Sequence, residues 1–100
     1  MKEIVYFTIN GKRPFDIWFA ELDYATRDRV MNSMDRLAQG SFGDCKYLGE
    51  GLVEMRLFFA GGIRIYFTEK GSQIIIILTA GNKKTQNRDI AKAKEYLKLI

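Results

Sequence analysis

The 100-residue chain contains no histidine, one cysteine, one proline and no long apolar run. Each shortage removes a class of chemistry. Without histidine, and with Cys45 alone, a zinc site would have to be built from carboxylates, which is an unsuitable donor set; no metal and no cofactor are expected. Cys45 has no imidazole to take its proton, so a thiol nucleophile of the Cys–His kind is excluded. It cannot form an internal disulfide either, which fits a reducing, cytoplasmic setting. The longest apolar run, Ile74 to Leu78, is strand-sized, far below the roughly 20 residues that span a bilayer, so no membrane partner is expected. The opening MKEIVYFTI lacks a small-residue cleavage pattern, and no signal peptide is expected.

What is present is ordinary for a globular protein: 47% hydrophobic and 28% charged residues. The length suits one domain over residues 1–100. The net charge of +4 is unevenly placed. Acids and bases balance up to residue 80. Beyond it, Lys83, Lys84, Arg88, Lys92, Lys94 and Lys98 face only Asp89 and Glu95. A localised cationic excess attracts polyanions, nucleic acid above all. A solvated helix face would look the same on charge alone.

KEIVYFTI (2–9) alternates and reads as a strand. After the turn at Asn10–Arg13, Pro14 suits the start of a helix on which Phe15, Trp18, Phe19 and Leu22 form an apolar stripe. A second helix is expected from about Thr26 to Gln39, with Val30, Met34 and Leu37 inward and Gly40 as its stop. GSFGDCKYLGEG (40–51) carries four glycines and reads as an irregular loop; it lacks the lysine-serine ending of a P-loop. Its acids, with Glu54, show no Mg²⁺ spacing and read as structural or solvated. Strands are expected at 52–59, 62–68 and 73–80, the last apolar on both faces and so interior. A final helix from about Gln86 to Ile100 places Ile90, Ala93 and Leu97 on one stripe. The expected fold is α+β: two N-terminal helices packed on a curved, mainly antiparallel four-stranded sheet, plus a C-terminal helix.

The hairpin LVEMRLFFAGGIRIYF (52–67) carries the chemistry. Val53, Met55, Leu57, Ile63, Ile65 and Phe67 share one face. Glu54, Arg56, Arg64 and Tyr66 share the other. A two-residue loop at Ala60-Gly61 would mix the faces. A three-residue loop with a glycine bulge sets Arg56 against Arg64 and Glu54 against Tyr66; a shift by one sets Arg56 against Tyr66. Opposed arginines destabilise a sheet unless an anion lies between them or Glu54 compensates. With the helices on the far side, this face is expected to be open. Lys83 and Lys84 follow directly on the last strand, so a basic concavity fit for a phosphodiester is expected. A solvated ladder of alternating charge is the plain alternative.

The segments KYLGEGLVEMRLFFAGGIRIYF and LTAGNKKTQNRDIAKAKEYL, with FDIWFAELD and RLAQGSFGD, resemble the RelE/ParE toxin superfamily. The likeness is nearest to its HigB-like, phage-associated addiction module killer group, and it runs over almost the whole chain. The resemblance implies a type II toxin held by a cognate antitoxin, the expected product of the neighbouring gene. It also implies a ribosome-dependent mRNA endoribonuclease (an mRNA interferase) that uses metal-free 2′-OH attack on the adjacent phosphate. Arg56 matches the arginine such toxins use around the scissile phosphate, Arg64 that of their next strand, and Lys83 or Lys84 a basic residue after the last strand. Proton transfer would fall to Glu54, Lys84 or Tyr66, with the surrounding cations lowering the pKa of phenol or amine. Arg64, Arg88 and Lys92 would bind RNA. The tyrosine and histidine that relatives use as acid and base have no counterpart here. A ParE-like gyrase inhibitor without catalysis and a decayed RNA-binding module are the alternatives.

Overall fold

The computed structural model describes all 100 residues. Its strands are β1 (Glu3–Tyr6), β2 (Cys45–Gly49), β3 (Leu52–Leu57), β4 (Ile63–Lys70) and β5 (Ile74–Asn82). Its helices are α1 (Pro14–Phe19), α2 (Tyr24–Ala38) and α3 (Gln86–Leu97), the last entered through a 3₁₀ turn at Lys83–Thr85. All five strands form one sheet in the order β1-β5-β4-β3-β2. β1 runs parallel to β5, and the other pairs are antiparallel.

Two apolar layers hold the sheet. On one face Met55, Ile63, Ile65, Phe67, Ile75, Ile77 and Ala80 pack against Phe15 of α1 and Val30, Met34 and Leu37 of α2. The i, i+4, i+7 spacing of those α2 residues makes the stripe, and the Asp23 carboxylate caps the helix by accepting from Thr26 N–H at 3.0 Å. Each fully buried Leu, Ile or Phe contributes about 1.5–3 kcal/mol of transfer free energy, so this layer dominates stability. On the opposite face Leu52, Tyr66 and Leu78 pack against Ala93 of α3, with Phe7, Ile90, Tyr96 and Leu97 around them.

The fold therefore departs from the expected two helices on a mainly antiparallel four-stranded sheet. There are five strands, and the sheet is mixed. The extra strand, β2, lies inside the glycine-rich stretch expected to be a loop; it pairs Cys45 with Met55, Lys46 with Glu54 and Tyr47 with Val53. Glycines at 40, 43, 49 and 51 flank or end it, each with positive φ, so they delimit the strand rather than dissolve it. The hairpin's polar face is not open, because α3 packs on it. No helix is long and apolar enough to cross a membrane.

Candidate nucleic-acid interface

The turn between β3 and β4 fixes the register. Ala60, Gly61 and Gly62 have φ of 50°, 79° and 93°, and Gly62 N–H bonds back to the Phe59 carbonyl at 3.0 Å. Two successive glycines supply the left-handed backbone this reversal needs. The register is the one in which Arg56 faces Arg64 and Glu54 faces Tyr66. Extended into β5, the two rows read Arg56–Arg64–Gly81 and Glu54–Tyr66–Thr79.

The second row closes beneath α3. Glu54 is 1% exposed and Tyr66 0%. Glu54 Oε2 accepts from the Tyr66 hydroxyl at 2.9 Å and from Gln86 Nε2, at the start of α3, also at 2.9 Å. Arg64 Nε stands 3.9 Å from the same oxygen. A buried carboxylate costs several kcal/mol in lost hydration unless donors replace the water. Here a phenol and an amide do so, with the Arg64 charge nearby, and no protein donor reaches Oε1. The phenol responds in the direction opposite to expectation. Burial raises the Tyr66 pKa well above its ordinary value, helped by the hydrogen bond to Glu54 and the charges of Glu54 and Asp89, and Arg64 opposes only part of this. The cations do not lower it, so Tyr66 is a fixed donor to Glu54 rather than a base.

The first row is less complete. Arg56 donates from Nη2 to Asp44 Oδ1 at 3.1 Å, both side chains being about a third exposed. Arg64 is 14% exposed and has the Glu54 contact alone. Both Nε atoms, on opposed strands, are buried without a hydrogen-bond partner. Opposed guanidiniums on neighbouring strands also repel each other, and an anion accepting from their terminal nitrogens would offset that repulsion. The internal ion pairs therefore occupy part of each guanidinium, not the whole.

The chain beyond β5 is set by local hydrogen bonds. Asn82 Oδ1 accepts from Lys84 N–H at 2.8 Å and Thr85 N–H at 3.2 Å, while Thr85 Oγ1 accepts from Asn82 N–H at 3.1 Å. This reciprocal cap turns the chain so that Lys83 and Lys84 are exposed at the end of the sheet beside the arginine row. Thr85 also donates to Asp89, whose carboxylate is buried against Gly81. A Cβ at position 81 would lie 1.8 Å from Asp89 Oδ2, so only glycine admits this approach. Arg88 is largely exposed and 3.6 Å from Asp89. Lys92 pairs with Glu95 on the outer side of α3, a turn beyond the row.

The structure thus gathers Glu54, Tyr66 and Arg64 tightly, sets Arg56 beside them, and leaves Lys83, Lys84 and Arg88 on the rim and Lys92 outside. Sequence reasoning missed Gln86, Asp44 and Asp89 as partners of the site. Asp44 immediately precedes β2, the strand that pairs with Arg56's own, and its carbonyl accepts from Arg56 N–H at 2.8 Å. No cluster of three or more His, Cys, Asp or Glu side chains is placed to hold a metal ion.

A mixed sheet clasped by helices on both faces, with two arginines opposed on neighbouring strands at one end, defines a small α+β protein. Residues 17–98, which include every part of the site, match the model of the phage-derived Gp49-like proteins (DUF891), and the chain belongs to that family. The family is toxin-like and falls in the addiction-module killer, RelE-like group. The chain is also similar to an uncharacterized protein of Haemophilus influenzae, 33% identical over 81 residues that cover 80% of this chain and 82% of that one.

Proposed function

We propose that the protein is the toxin of a type II toxin–antitoxin pair, of the HigB-like kind, and that it cleaves mRNA on the ribosome in the cytoplasm. The observation that carries this reading is the register that sets the Arg56 and Arg64 guanidiniums opposite each other on neighbouring strands, with only one carboxylate beside each, Asp44 and Glu54. They suit a phosphodiester seated across the two guanidiniums, with Lys83 and Lys84 adding charge from the rim. In the reaction the 2′-oxygen bonds to the adjacent phosphorus while the bond to the 5′-oxygen breaks, giving a 2′,3′-cyclic phosphate and a free 5′-hydroxyl. Arg56 and Arg64 stabilise charge on the phosphorane. Glu54 Oε1 is the group left to take the 2′ proton, and Lys84 or Lys83 to return one to the departing oxygen. Tyr66 and Gln86 hold Glu54 in place. A cognate antitoxin, mRNA and the ribosome are the partners this function requires.

One observation favours a second reading. Glu54 already has two hydrogen-bond donors and an arginine on its other oxygen, and Tyr66 cannot serve as base. A binding module on the same scaffold, without catalysis, would have this appearance. Induced expression with and without the neighbouring gene, followed by mapping of mRNA 5′ ends, separates the two. Growth arrest with new 5′ ends in frame supports the nuclease. Arrest with intact messages rejects it, and DNA damage in that case identifies a gyrase inhibitor.

A further inference from the structure

β1 pairs only with Ile74–Ile77 of β5, so the second half of β5 has β4 on one side and no strand on the other. α1 lies along that uncovered half, and where it meets the first turn of α3 a shallow cleft of about 230 Å³ opens. Pro14, Ile17 and Trp18 of α1 line it, with Glu21 in the turn that follows α1, Thr79 of β5 and Arg88 of α3. Thr79 is two residues before Gly81, the cross-strand neighbour of Arg64. The cleft is thus one strand spacing, about 4.8 Å, and about 7 Å along β5 from the arginine row.

We propose that this cleft binds a nucleobase of the RNA held at the arginine pair, and that it selects guanine. The inference rests on the reading of Arg56 and Arg64 as a phosphate site. The cleft is smaller than the roughly 300–1,000 Å³ that enclose a drug-sized ligand, so it suits one planar ring system. The Trp18 indole, backed by Phe15 with ring centroids 5.5 Å apart, supplies a wall of the kind on which unpaired bases stack. The polar groups fix the choice of base. Glu21 is exposed and has no ion-pair partner, and its two oxygens match the adjacent N1–H and N2–H₂ donors of guanine. Adenine, cytosine and uracil each set a lone pair against one of those oxygens. Arg88 contacts Asp89 through Nε alone, leaving its terminal nitrogens free for O6 and N7 of the same base.

Trp18 is the only tryptophan, so its fluorescence reports on the cleft directly. Guanosine 5′-monophosphate and adenosine 5′-monophosphate are titrated separately, and binding of a labelled guanine-containing tetraribonucleotide is followed in parallel by anisotropy. The guanine nucleotide is expected to quench Trp18 saturably and at least about tenfold more tightly than the adenine nucleotide, and Glu21→Ala to abolish the difference. Equal quenching by both nucleotides, or none by either, overturns the proposal. Tetranucleotide binding without any Trp18 response removes the base site and leaves the phosphate reading intact. Guanine-selective quenching with tetranucleotide affinity unchanged in Arg56→Ala removes the phosphate reading instead, and with it the RNA context assumed for the cleft.

Discussion

Tyr66→Phe isolates the hydrogen bond that organises the buried end of the site. The ring stays, so packing against Leu52, Leu78 and Ala93 is retained, and the change removes a 2.9 Å donor from a carboxylate that is 1% exposed. A hydrogen bond to a charged group contributes about 1.5–3 kcal/mol, so the variant should lose about 2 kcal/mol at pH 7. In a chain of this size that lowers the melting temperature by roughly 8–16 °C. The effect has a pH signature. The unfolded phenol ionises near pH 10.0, whereas the folded one stays protonated well above it. Above pH 10 the native state therefore binds more protons than the unfolded chain, and the wild type loses stability as pH rises, about 1.4 kcal/mol by pH 11. Below pH 10 the full contribution is present. Phenylalanine has no such dependence, so the gap between the two proteins should narrow from pH 10 upward in urea titrations. Equal stability at pH 7, or a gap that stays constant through pH 11, would refute the buried phenol–carboxylate bond.

Three further outcomes follow from the geometry. Arg56→Ala should cost under about 1 kcal/mol by chemical denaturation, since its pair with Asp44 is about a third exposed and partly screened by water, and should abolish growth arrest; retained toxicity would exclude Arg56 from function. Gly81→Ala forces a methyl group onto the Asp89 carboxylate and should destabilise by about 1–3 kcal/mol, partly relieved in a Gly81→Ala, Asp89→Ala double variant, as thermal melts would show. Burial, with a lesser contribution from Asp44, pushes the Cys45 thiol up to about 11, so alkylation by iodoacetamide at pH 8 should be slow and should accelerate towards pH 11; rapid labelling at pH 8 would contradict that environment.

The hairpin was legible because parity and a glycine-rich turn admit few registers, and one of the two that keep its faces separate is found. The covering helix was not, although its signal was present. Leu52, Ile76 and Leu78 lie with Tyr66 on the face that Glu54 and the arginines mark as polar, and the Ile90, Ala93, Leu97 stripe needed a surface to cover. Charges at one end of a strand concealed apolar residues at the other. The parallel pairing of β1 with β5 joins residues some 70 positions apart, where local pattern carries no information about the partner. β2 was hidden by its glycines, which an irregular loop and a short strand between two turns share. The direction of the Tyr66 shift depended on burial, which sequence parity had assigned to the other face.

The central claim is that Arg56 and Arg64 share one anion. Nitrogen-15 NMR of the arginine Nε–H groups during titration with a short oligoribonucleotide tests it most directly. Both resonances should shift together and saturate with a single binding constant. Shifts that follow different constants, or an Nε–H of either residue that does not respond, would contradict the account.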